Sequence, residues 1–119
     1  MKFLSVALGG ALGSVLRYSI SLIPTKTTFP ILTLITNIIG AFLIGCIAGF
    51  AIKNNPSETI VLFLKTGLCG GFTTFSTFSL EACTLFQNGH YVLSILYVVC
   101  SCIGSFVATY IGLKLIQHP

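Results

Sequence analysis

The chain has 119 residues, of which 55% are hydrophobic and only 7% charged, with a formal net charge of +4. That length allows one domain, residues 1–119, and a mean hydropathy of +1.02 excludes an ordinary soluble globular protein. The basic residues (Lys2, Arg17, Lys26, Lys53, Lys65, Lys114) are scattered and form no polybasic patch, which removes the footing for nucleic-acid binding.

Apolar runs over 3–23, 30–52, 59–85 and 91–116 are each long enough to cross a hydrocarbon core of about 30 Å. The expectation is an all-α membrane protein of four transmembrane helices. These runs use up nearly the whole chain, so function must lie in the membrane. Lys2 ahead of a short apolar run also suits a cleaved signal peptide, but the run continues past any cleavage point and three further spans follow. The charge bias across the loops is weak. Insertion in both orientations and a single orientation with a poor signal both account for it.

In the first span, Gly9, Gly13 and Arg17 recur at four-residue steps, beside Gly10, Ser14 and Tyr18. Small residues at this spacing let two membrane helices approach until their backbones touch. Arg17 either snorkels to the headgroups or faces a water-filled vestibule that attracts anions. Pro24 and Pro30 then bracket a loop and stop helix continuation.

The second span sets Asn37, Ala41, Gly45 and Gly49 on one face. An amide in hydrocarbon is costly unless hydrogen-bonded, so Asn37 either links helices or presents its NH2 donors to something passing. The segment 54–58 reads as a polar turn in which Ser57 or a residue beside it caps the third span.

The third span holds the stretch around which the chain is organised, residues 67–81. Gly67, Gly70 and Gly71 lie within five residues and weaken a helix, so a break is predicted over Gly67–Thr73. In hydrocarbon, such a break leaves N–H and C=O groups that only protein, water or an ion can satisfy, and it therefore lines a site. With the helix restarting near Thr73, Thr73, Thr77 and Glu81 fall along one edge and Phe75 and Phe78 on the other. Lipid or core contact for the rings, and back-bonding for the hydroxyls, account for each residue singly. Together with the glycine break and an intramembrane Glu, those readings need several coincidences. Residues 87–90 form a turn with His90 in solvent, and His118 falls in the tail.

The fourth span carries Tyr97, Ser101, Ser105 and Thr109 at four-residue steps, beside the small residues Gly104, Ala108 and Gly112. The five cysteines (Cys46, Cys69, Cys83, Cys100, Cys102) fall within spans and imply neither disulfides nor a metal site. Paired carboxylates, a nucleophile with its base and a phosphate loop are all missing from the sequence, so no enzyme activity is expected. The intramembrane donors are hydroxyls, Asn37 and Arg17, which favour an anion over a cation. The positive edge of a phenyl ring adds attraction for a small anion in the ring plane.

The run Gly67-Leu68-Cys69-Gly70-Gly71-Phe72-Thr73-Thr74-Phe75-Ser76-Thr77-Phe78-Ser79-Leu80-Glu81 resembles the signature of the Fluc (CrcB) fluoride channels. Residues 9–18 and 33–40 are similar to that family's first- and second-helix motifs. The resemblance implies an antiparallel, dual-topology homodimer with two fluoride pathways and a structural sodium ion at its centre. It implies passive fluoride export that lowers cytoplasmic fluoride, in the plasma membrane, expected to be a bacterial inner membrane. The implied partners are fluoride, lipid and a second copy, with no nucleic acid. By resemblance, Phe75 and Phe78 give ring-edge contacts, Asn37 a polar pore contact, and Ser76, Thr77 and Ser79 a polar track. Gly70 and Thr73 hold sodium through backbone carbonyls, and Arg17 and Glu81 stand near the vestibule and pore end. Two competing readings are weighed. A proton-coupled multidrug transporter would want a carboxylate in the first span, which holds Arg17 and no acid. A structural subunit of a larger membrane complex would explain the small-residue faces but not the hydroxyl and phenylalanine run.

Overall fold

A computed structural model describes residues 1–117; His118 lies outside the described residues. Helices cover Lys2–Ser21, Ile31–Asn54 and Tyr91–Gln117, and the third span runs from Glu58 to Gln87. All four are long and apolar enough to cross a membrane, and no strand occurs among the described residues. The chain is a multi-pass membrane protein.

Local chemistry sets the ends of these helices. The second helix stops at Asn55, whose left-handed backbone (φ 47°, ψ 56°) suits asparagine and whose N–H donates to the Ala51 carbonyl. The predicted Ser57 cap is present: its Oγ accepts the Ile60 N–H at 3.4 Å. After Gln87, Gly89 takes φ 85°, so that its N–H reaches the Phe86 carbonyl and the His90 N–H reaches that of Leu85. This closes the helix and turns the chain into the fourth span.

The third span differs from expectation in where it is interrupted. Glu58–Val61 is α-helical, Leu62–Cys69 is wound as a π-helix and Gly70–Phe72 is α-helical again. Thr73 (φ −85°, ψ 159°) and Thr74 (φ −148°, ψ 119°) are extended, and Phe75–Gln87 resumes the helix with Thr74 as its cap. The predicted break over Gly67–Thr73 is thus corrected to Thr73–Thr74, and the restart moves from Thr73 to Phe75. The reason is packing. Gly67 and Gly71 stay helical because they are pressed against the first helix, whereas Thr74 has a side chain elsewhere that replaces its helical partners.

Two parallel pairs of helices make up the bundle. In one, the first helix lies against the N-terminal half of the third span, with Ser5 Oγ donating to the Thr59 carbonyl at 2.8 Å. A Cβ on Gly13 would strike the Leu68 carbonyl and come within 2.8 Å of the Phe72 nitrogen. In the other, the second and fourth helices meet at Gly45 and Gly112, where added Cβ atoms would strike the carbonyls of Thr109 and Phe42. The small-residue faces therefore bring backbone to backbone, as their spacing predicts. Phe75–Gln87 packs differently: Phe78, Ala82 and Leu85 surround the fully buried Tyr97, with Phe29, Leu34 and Leu93 alongside.

Candidate functional site

The interruption at Thr73–Thr74 lies where the two helix pairs meet, and its backbone can be accounted for group by group. Asn37 answers Thr74 on both sides. Its Oδ1 accepts the Thr74 N–H at 2.9 Å and its Nδ2 donates to the Thr74 carbonyl at 3.0 Å, so one amide side chain stands in for a paired strand. Of the two roles open to Asn37, linking helices is the one this geometry performs, with one Nδ2 hydrogen left over. Thr74 Oγ1 accepts the Thr77 N–H at 3.1 Å, capping the distal helix.

On the other side of the interruption, the end of a helix leaves carbonyls to satisfy. Thr73 donates twice to the Cys69 carbonyl, from its N–H at 3.0 Å and from Oγ1 at 2.9 Å. Arg17 Nε donates to the Gly71 carbonyl at 3.3 Å. The carbonyls of Gly70 and Thr73 accept no hydrogen bond from the described residues, and Gly70 lies exposed on the subunit's face. Gly40 makes room for this turn, since a Cβ there would strike the Thr73 methyl group.

A cavity of about 400 Å³ opens beside the break and collects Asn37, Gly70, Thr73, Phe75 and Phe78 from the predicted set. The two rings stand 5.5 Å apart at 56°. They are unequal: Phe78 is 7% exposed and meets Tyr97 edge-on at 5.0 Å, whereas Phe75 is 78% exposed. Ser101 lines the same cavity, is 6% exposed, and has no hydrogen-bond partner for its Oγ among the described residues. Such an orphan is rare, because an unpaired buried hydroxyl costs about 1–3 kcal/mol. The fourth span's four-residue hydroxyl spacing was the signal that pointed to Ser101, though it did not single it out. That row splits by role: Thr109 Oγ1 donates to the Ala41 carbonyl at 3.0 Å and the Tyr97 hydroxyl to Glu81 Oε1 at 2.9 Å, while Ser101 and Ser105 face the cavity.

The remaining predicted residues lie apart from it. Arg17 and Thr77 line a small pocket of about 60 Å³ together with Ser21, Thr33, Thr36 and Thr74. Glu81 borders a third space of about 440 Å³ under the threonine-rich segment 25–28 and is tied across to the fourth span by Tyr97. Ser76 and Ser79 line none of these three spaces; Ser76 is exposed, with its hydroxyl 3.4 Å from Thr74 Oγ1. Thr73 no longer shares a helix edge with Thr77 and Glu81, because it precedes the restart. Among the described residues no cluster of His, Cys, Asp and Glu has metal-ligand geometry, and the five cysteines are free.

Comparison with known proteins agrees with the motifs. The profile of the family described as "CrcB-like protein, Camphor Resistance (CrcB)" matches residues 4–113. A protein of Flavobacterium psychrophilum named fluoride-specific ion channel FluC is 47% identical over 112 residues, covering 91% of this chain and 90% of its own. Relatives with the same name from Azobacteroides pseudotrichonymphae and Gloeothece citriformis are 41% and 42% identical, covering 93% and 99% of this chain and 92% and 98% of theirs. With the break, its glycine-lined crossing and the paired phenylalanines all inside the matched region, the chain belongs to the CrcB-like family.

Proposed function

We propose that the chain is a subunit of a fluoride-specific channel that exports fluoride passively across the plasma membrane, a bacterial inner membrane, and lowers its cytoplasmic concentration. The observation that carries this reading is the cavity in which an unpartnered, buried Ser101 hydroxyl shares walls with Phe75 and Phe78. A hydroxyl supplies a donor to replace water lost by a small anion, and ring edges add attraction without a buried full charge. The names of the relatives support fluoride as the ion. In this reading Asn37 contributes its remaining Nδ2 hydrogen, and Thr77 with Arg17 lines the approach. Ser76 and Ser79 complete the polar track, and Glu81 stands at the pore end.

A second copy, antiparallel to the first, completes the pathway. Phe75 is too exposed to serve a pore wall within one subunit, and the weak charge bias permits insertion in both orientations. The same second copy would cover Gly70. The free carbonyls of Gly70 and Thr73 fit a sodium ion, since neutral oxygens freed by a helix end suit a hard cation. When bound, the ion supplies positive charge that compensates these carbonyl dipoles at the subunit boundary.

Fluoride efflux from liposomes containing purified protein, with chloride measured in parallel and Phe78→Ile as the comparison, tests the function. Fast fluoride release without chloride release, reduced in the variant, is expected. Absence of release from folded dimers in sodium buffer would overturn the channel reading.

A further inference from the structure

The first helix and the N-terminal half of the third span match stripe to stripe. On the first helix Gly9, Gly13 and Arg17 follow each other at four-residue steps, and Gly67 and Gly71 do the same on its neighbour. A Cβ on Gly9 would lie 3.0 Å from the Gly67 Cα, and one on Gly71 would lie 2.6 Å from the Gly10 carbonyl oxygen. No side chain separates the two backbones, so their relative height is set to within a contact distance. Arg17, one turn beyond Gly13, is thereby delivered to the end of the neighbouring helix, where its Nε donates to the Gly71 carbonyl at 3.3 Å.

That carbonyl lies one residue from Gly70 and two from Thr73, whose own carbonyls are left without donors. A helix ending in hydrocarbon has several such oxygens, and whichever receives a donor is held in place. Asn37 fixes the peptide group on the far side of the break through Thr74. We infer that Arg17 is a positioning residue for the interruption: its Nε–H holds the Gly71 carbonyl so that the Gly70 and Thr73 carbonyls remain free and fixed in direction. The guanidinium then acts through backbone geometry, and its charge is secondary. This inference rests on the sodium reading above for its functional consequence, but not for the geometry.

Two substitutions separate the donor from the charge. In Arg17→Gln the side-chain Nε2 stands at the same position along the chain as the arginine Nε, keeping a donor and losing the charge. Arg17→Met keeps the length and loses both. The first readout is hydrogen exchange of the amides of 72–77 in purified dimers, which does not depend on transport. Exchange is expected to accelerate about tenfold in Arg17→Met, as loss of one hydrogen bond from a charged donor would give, and to stay near wild type in Arg17→Gln. The second readout is the sodium concentration that gives half-maximal fluoride efflux, expected to rise about tenfold in Arg17→Met and about threefold or less in Arg17→Gln. Equal behaviour of the two variants, or unchanged exchange in Arg17→Met, overturns the inference. So does a lower sodium requirement in both, which relief of like-charge repulsion would produce. Wild-type protein that passes no fluoride at any sodium concentration sinks the channel reading, while the exchange measurement still decides the role of Arg17.

Discussion

The two halves of the third span are built on opposite principles. Before the interruption the helix is held by glycines, backbone against backbone, and its end offers carbonyl oxygens. Beyond it the helix is held by aromatic side chains around Tyr97 and offers rings and hydroxyls. A glycine crossing has no slack, because a backbone atom cannot swing aside as a side chain can. Aromatic packing tolerates adjustment. The rigid half is therefore suited to fixing a cation among carbonyls, and the other half to a wall along which an anion moves.

Gly13→Val breaks this contrast most severely. Its Cβ would strike the Leu68 carbonyl and meet the Phe72 nitrogen at 2.8 Å, with only backbone to yield. The expected loss is about 3 kcal/mol or more, the upper end for overpacking, read as a collapse of the monodisperse fraction in size-exclusion chromatography. Native-like yield and melting temperature would show that the crossing has slack after all.

Asn37→Ala tests the junction between the halves. It strands both the N–H and the carbonyl of Thr74, at about 1–3 kcal/mol for each buried group left unpaired. The variant is expected to melt earlier than wild type but later than Gly13→Val, with hydrogen exchange rising at 74–77 and not at 63–68. Uniform change across the third span would mean that the halves are not separately held.

Tyr97→Phe probes the adaptable half and has the smallest expected effect. It removes the hydroxyl that donates to Glu81 Oε1 and keeps the ring that meets Phe78 and Phe29. A loss of about 1 kcal/mol in a thermal melt is expected, the usual net contribution of one intramolecular hydrogen bond. A loss equal to that of Gly13→Val would erase the distinction between the two kinds of packing.

Much of this was legible in the residues themselves. Four apolar runs announced four spans, Ser57 announced a cap, and the four-residue recurrence of small residues announced close crossings. What the pattern lacked was a way to say which glycine breaks a helix and which merely admits a neighbour. Gly67, Gly70 and Gly71 read as a break by propensity, yet Gly67 and Gly71 lie against the first helix and stay helical, while the non-glycine pair Thr73 and Thr74 is extended. Asn37 likewise had two readings, and its link to Thr74 became visible only with Thr74 beside it.

The sequence alone determined the helices, the membrane and the family, because these rest on periodicity, hydropathy and motif, which are local properties. Only the tertiary structure decided where the third span is interrupted, which hydroxyl goes unpartnered and whose carbonyl Arg17 holds. Each of those depends on a partner many residues away: Asn37 meets Thr74 across 37 positions and Arg17 meets Gly71 across 54. In hydrocarbon, where water cannot satisfy what the chain leaves open, the position of such partners dictates where the backbone is free to leave the helix.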